Sequence, residues 1–89
     1  MVVTQETVLA LRTAGIPVKH LIENPSETIT DLAYEWDGVE GTVTINGQEW
    51  CTRTTDGIFI LYYEEYALDE NGVEDLEEVD SFGIAYFQL

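Results

Sequence analysis

Apolar positions in the first third of the chain recur at helical spacing. Thr4 is placed to cap a helix over residues 4–14, with Val8, Leu11 and Leu9 toward the interior. Gly15, Ile16 and Pro17 end it: glycine takes the left-handed position after the last turn, an apolar residue follows, and proline breaks the helix. Pro17 then opens an expected short second helix, 17–23, with Val18, Leu21 and Ile22 inward. Ile29, Leu32, Ala33 and Trp36 fall at i, i+3, i+4 and i+7, which predicts a third helix over 26–37. Ser26 or Asn24 caps it, Gly38 stops it, and Glu27, Asp31 and Glu35 line its outer side.

From Gly41 the period shortens to two. Thr42 to Ile45 alternates, Asn46-Gly47 is a type I′ hairpin signal, Gln48 to Thr54 returns, and Asp56-Gly57 repeats the turn. Two such turns set a register: Ile45 opposite Gln48, Val43 opposite Trp50, Thr54 opposite Phe59 and Thr52 opposite Leu61. Val43, Ile45, Trp50, Phe59, Leu61 and Tyr63 then share the expected core face, closed by the three helices. The other face receives Cys51, Arg53, Ile58, Ile60, Tyr62 and Glu64. Its middle is apolar, so either another segment of the chain covers it or it is a contact surface.

Over 67–82 the alternation fails. Glu70-Asn71-Gly72 marks a turn, and Val73, Leu76 and Val79 are three apart, closer to helical turns than to one regular strand. Ile84 to Leu89 reads as the last strand. The expected class is α+β, with two or three short N-terminal helices packed on a small antiparallel sheet of three to four strands. One domain, 1–89, is expected, helical over residues 1–38 and β over residues 41–89, where the acidic segment 64–80 also lies. The element order resembles a winged helix. However, the third helix, where that fold reads DNA, offers Glu27, Asp31 and Glu35 and no Arg or Lys, which disfavours direct nucleic-acid binding.

Charge changes the picture more than composition does. The net charge is −15, and it is uneven: Glu6 and Glu23 balance Arg12 and Lys19 over residues 1–23, whereas 24–89 set sixteen carboxylates against Arg53 alone. Nine carboxylates fall between Glu64 and Asp80, and no cationic side chain follows Arg53. Such a surface repels nucleic acid and anionic membranes and attracts basic partners or cations. A compact domain of this length has a radius of gyration of about 12 Å and is roughly 30 Å across. Duplex DNA of that length carries roughly 18 phosphate charges, so the protein's charge is of the same order.

Enzymatic motifs are missing. His20 lies beside Lys19 and reads as a surface histidine. Ser26 and Ser81 lack a nucleophile-elbow pattern, no glycine loop suits a phosphate or other cofactor, and the carboxylates are too many to single out a catalytic pair. Asp69-Glu70-Asn71-Gly72 resembles the start of an EF-hand loop, but glycine falls at position four where position six requires it, so no metal ligand is assigned. Cys51 is the one cysteine, which leaves no intrachain disulfide or cysteine zinc site and suits a reducing cytoplasm. No signal-peptide pattern and no membrane-spanning apolar run is read. Arg53 is expected to meet a carboxylate of its own hairpin, such as Glu49.

The reading that follows is a small acidic inhibitor or decoy. Its expected partner is a basic, nucleic-acid-binding protein surface or a nuclease, with no enzymatic activity, cofactor or membrane involved and the oligomeric state left open. Tyrosines interleave with the carboxylates, and such surfaces combine contact area with acceptors for arginine. The candidate contact set is Tyr62, Glu64, Glu65, Tyr66, Asp69, Glu70, Glu74, Asp75, Glu77, Glu78 and Asp80. In composition, though in no motif, the chain is similar to the DNA-mimic and anti-defence proteins of phages, such as anti-CRISPR, anti-restriction and glycosylase-inhibitor proteins. Three alternatives remain: an immunity protein capping a nuclease toxin, a salt-adapted structural domain, and a small enzyme. For the glutamates flanking the apolar run Ile58 to Tyr63, a role only as gatekeepers against aggregation is the plainer reading.

Overall fold

The computed structural model describes residues 3–35 and 38–89, and for 76–83 the backbone path alone. Helix α1 spans Gln5–Thr13. At its start the Thr4 hydroxyl accepts from the Glu6 N–H, and the Thr4 N–H donates to the Thr7 hydroxyl, each at 3.2 Å. At its end Gly15, at φ 91°, donates to the Arg12 carbonyl and Ile16 donates to the Leu11 carbonyl, both at 3.0 Å. Those two bonds are the Schellman pattern that the Gly-Ile-Pro signal predicts.

The expected helix over 17–23 does not form. That stretch contains strand β1, His20–Leu21, paired with Gln88 and Phe87 at the edge of the sheet. A helix of seven residues would close few internal hydrogen bonds. The extended chain satisfies its backbone outside itself: Lys19 and Ile22 donate to the Gln88 and Tyr86 carbonyls, and the Arg12 guanidinium takes the Val18 and Lys19 carbonyls at 2.8 Å each. Helix α2 spans Glu27–Glu35, with the Ser26 hydroxyl accepting from Ile29 N–H. The expected inward placement of Trp36 lies outside the described residues.

The strands are β2 Val39–Ile45, β3 Gln48–Thr55, β4 Ile58–Leu68 and β5 Glu74–Gln88. They form with β1 one five-stranded antiparallel sheet in the order β1-β5-β4-β3-β2, larger than the three to four strands expected. Asn46 (φ 51°) with Gly47 and Asp56 (φ 49°) with Gly57 make both tight turns. The register read from them is the one observed, from Ile45 opposite Gln48 to Thr52 opposite Leu61.

The layering differs from expectation. Helix α1 covers one face, where Val8, Leu11 and Val18 join Val43, Ile45, Trp50, Phe59, Leu61 and Phe87. Helix α2 covers the other, bringing Ile29, Leu32 and Ala33 onto Ile58, Ile60, Tyr62 and Tyr86. The apolar second face is therefore a second core layer. Two helices serve two faces, where three had been expected on one.

Strand β5 also begins ten residues before the expected last strand. Its register slips against β4 twice, between Leu61 and Tyr63 and between Tyr66 and Leu68. At the first slip Gly83 and Ile84 stand against Tyr62 alone, a β-bulge. The second slip breaks the period of two inside 67–82 and the first separates that stretch from the expected last strand, so the start of β5 was hidden.

Gly38 joins α2 to β2 at φ 100°, and a Cβ there would collide with the Thr54 carbonyl oxygen. Gly72 has a similar φ of 74° but open space around it. In urea titrations Gly38→Ala should therefore cost about 3 kcal/mol or more and Gly72→Ala about 1 kcal/mol. Ile60→Ala should cost about 2–5 kcal/mol, comparable to Leu11→Ala on the opposite layer. A loss under about 1 kcal/mol at Ile60 would mean that the second face is not packed.

Candidate partner-binding surface

The ladder between β3 and β4 ends at Cys51 opposite Tyr62. Beyond it, all the pairing of β4 is with β5, through Tyr63 opposite Phe82, Glu64 opposite Ser81, Glu65 opposite Asp80, Tyr66 opposite Val79 and Leu68 opposite Glu74. The result is a two-stranded arm roughly 20 Å long, at about 3.3 Å per residue. Its effect on shape is measurable. The radius of gyration is 13.9 Å and the long dimension 44 Å, against about 12 Å and roughly 30 Å for a compact domain.

Asp69 closes the end of the arm. Its carboxylate accepts from the Asn71 and Val73 N–H groups at 2.8 and 3.0 Å, and the Asp69 N–H donates to the Val73 carbonyl. The carboxylate that would have opened an EF-hand loop is thus occupied in shaping the turn. Among the described residues no group of three His, Cys, Asp or Glu side chains is arranged to hold a metal.

The arm brings most of the candidate contact residues onto one element. Glu64, Glu65, Asp69, Glu70 and Glu74 are exposed, Asp75 is half-buried and Tyr66 is 39% exposed. Residues alternate sides along a strand, so Glu65 faces one way and Glu64 and Tyr66 the other. Glu77, Glu78 and Asp80 belong to β5, and their side chains lie outside the described residues. Exposed Leu68 and Val73 flank the turn. Sequence reasoning missed them as contact candidates, because the spacing of Val73, Leu76 and Val79 reads as helical and Leu68 is given no role.

Tyr62 is a correction. It is 1% exposed and packs in the α2 layer, because β4 alternation turns it toward Ala33 and Tyr86. Its phenol is hydrogen-bonded to Arg53, whose guanidinium also meets Glu40 at 3.2 Å. Glu40, directly opposite Arg53 in the β2–β3 register, is a carboxylate of the same hairpin, as expected for Arg53. Tyr63 is half-buried, its ring edge-on to Trp50 at 5.4 Å.

Burial pushes the Cys51 thiol above its ordinary 9.0, and Glu64, Glu49 and Glu40 add to the effect. The thiol stays protonated and unreactive near neutrality. Burial likewise raises Tyr62 above 10.0, partly offset by the Arg53 hydrogen bond and charge, and raises Tyr86, with Tyr34 contributing.

No helix among the described residues is long and apolar enough to cross a membrane. Two clefts on the described surface are shallow. One is lined by Arg12, Ile16, Pro17 and Lys19, the other by Leu21, Ile22, Pro25 and Ile84, and neither gathers a catalytic set of side chains.

The raised thiol and phenol values carry a pH consequence. The folded state holds these protons more tightly than the unfolded chain, so the stabilisation is fully present below the ordinary values of 9.0 and 10.0 and is lost as pH rises through the folded ones. The urea midpoint should fall above about pH 9. Cys51→Ala with Tyr86→Phe should flatten that fall, and an unchanged slope would show that these groups do not cause it.

Compared with protein-family models, curated proteins and solved structures, the chain matches none of them.

Proposed function

We propose that this protein is a small acidic decoy that uses its β4–β5 arm to occupy a basic, nucleic-acid-binding surface of another protein, acting in the cytoplasm. The observation that carries the reading is that the densest run of charge lies on a paired ribbon. Glu64 to Asp80 supply nine carboxylates along a ribbon of roughly 20 Å. That is one charge per roughly 2.2 Å, against one per ~1.7 Å for duplex DNA. Over the whole 44 Å length duplex DNA would carry roughly 26 charges, so the likeness to DNA belongs to the arm and not to the whole molecule.

The arm's own energetics favour a binding role over a stabilising one. Glu65 stands directly opposite Asp80, and like charges placed so oppose strand pairing. A basic partner would remove that repulsion. Concentration of carboxylates on one ribbon also favours a dedicated partner over salt adaptation, in which acidity spreads over the surface. Exposed Tyr66, with Leu68 and Val73 near the turn, supplies apolar contact area between the carboxylates.

The test is affinity capture with the wild type beside a variant carrying Glu74→Gln, Asp75→Asn, Glu77→Gln and Glu78→Gln. A partner held by the wild type should be lost by the variant and displaced by duplex DNA. Its binding should also weaken at least tenfold between about 50 and about 500 mM NaCl, as the screening length drops from roughly 14 to roughly 4 Å. Capture that is indifferent to salt and to DNA would eliminate the decoy reading.

A further inference from the structure

The sheet has two long open edges, and they differ in chemistry. The outer edge of β5 carries Glu74, Asp75, Glu77, Glu78 and Asp80 and is bulged near Gly83. The outer edge of β2 has none of the devices that keep strand edges apart. Over Val39–Ile45 it contains no Lys and no Pro, its seven pairs with β3 run without a register slip, and its one charge, Glu40, is engaged by Arg53. No backbone hydrogen bond from another described element reaches it. Val39 is 73% exposed on this strand.

The β2 edge is self-complementary. Ile45 opposite Gln48 flanks a two-residue turn and is a hydrogen-bonded pair, so Ile45, Val43 and Gly41 exchange bonds with β3. The N–H and C=O groups of Glu40, Thr42 and Thr44 therefore point away from the sheet. Pairing a second β2 antiparallel about Thr42 joins all three sets: Thr42 to the partner's Thr42, and Glu40 to the partner's Thr44 in both directions. On the α1 face, exposed Val39 then stands opposite the partner's Ile45, which is already buried in its own core, so Val39 supplies the apolar area newly covered, and Gly41 stands opposite the partner's Val43. On the α2 face, no carboxylate faces a carboxylate in this register.

We propose that β2 is a homodimerisation edge, joining two copies of this chain through an isologous β2–β2 pair into one ten-stranded antiparallel sheet. The topology keeps the acidic arms apart. The arm leaves from the C-terminal end of β4, which runs parallel to β2, and lies two strands from the joined edge. A two-fold axis at Thr42 therefore sends the two arms to opposite ends of the joined sheet. The same axis makes the dimer bivalent for any partner of the arm, although the dimer itself does not depend on that partner.

The experiment is sedimentation equilibrium of the full chain from low micromolar to submillimolar concentration, with amide exchange followed residue by residue. Wild type should reach twice the monomer mass. The amides of Glu40, Thr42 and Thr44 should gain at least about tenfold protection with concentration, while those of Gly41, Val43 and Ile45 are protected throughout. Thr42→Pro removes an outward N–H, and Val39→Glu places a charge against the partner's Ile45; both should give monomers with unchanged circular dichroism. If the proline variant fails to fold, Val39→Glu decides alone, since its exposed side chain carries no core contact. Glu64→Gln with Glu65→Gln should leave the dimer intact. Wild type that stays monomeric over the whole range, a dimer that survives Val39→Glu, or outward amides that exchange at loop rates in the dimer would each overturn the proposal.

Discussion

Strand β4 is buried on both sides over five successive residues, Ile58 to Tyr62. Successive side chains on a strand point to opposite faces, so this run presents apolar surface to both sides at once. The sheet therefore needs a cover on each face, and each helix supplies one. Helix α1 takes the Phe59 and Leu61 side, and α2 takes the Ile58, Ile60 and Tyr62 side. The stretch 17–22 is drawn out as edge strand and connection between those covers, held by Arg12 and by the β5 carbonyls.

The same strand carries the charge outward. The residues that follow Tyr62 on β4 are the first with no ladder to β3, and they begin the acidic run. The arm is thus continuous with a strand buried on both faces. A two-stranded ribbon is marginal alone in water, and opposed carboxylates make it more so. Continuity with the two-layered core gives this ribbon an anchored base, so a surface of concentrated charge can be presented without its own core.

Charge and burial are also coupled where they meet. Arg53 joins Glu40 on the edge strand to the phenol of Tyr62 beneath α2, so one cation neutralises a carboxylate and satisfies a buried hydroxyl. It leaves no positive charge on β4 or β5 to offset the arm. Burial and the carboxylates Glu64, Glu49 and Glu40 keep Cys51 protonated beside this cluster, which makes it a packing residue.

Much of this was readable from residues alone where the signal is local. Turn pairs Asn46-Gly47 and Asp56-Gly57 determined the β2–β3–β4 register, since left-handed backbone at two successive positions selects a two-residue hairpin. The caps of α1, the apolar spacing of α2 and the α+β class were equally accessible, as was the acidic run as a count of charges. Other features depended on contacts far apart in the chain. Whether 17–23 would be helix or strand turned on β5 carbonyls nearly seventy residues away. The start of β5 was hidden because one register slip breaks the period of two inside 67–82 and the other separates that stretch from the expected last strand. Tyr62 looked like a contact residue beside Glu64, and only the arrival of α2 made it core. By itself the sequence determined turns, caps, periodicity and charge, because these act between neighbours. The tertiary structure decided which face each helix covers and that the carboxylates stand on a projecting ribbon, because both are set by pairing and burial between distant segments.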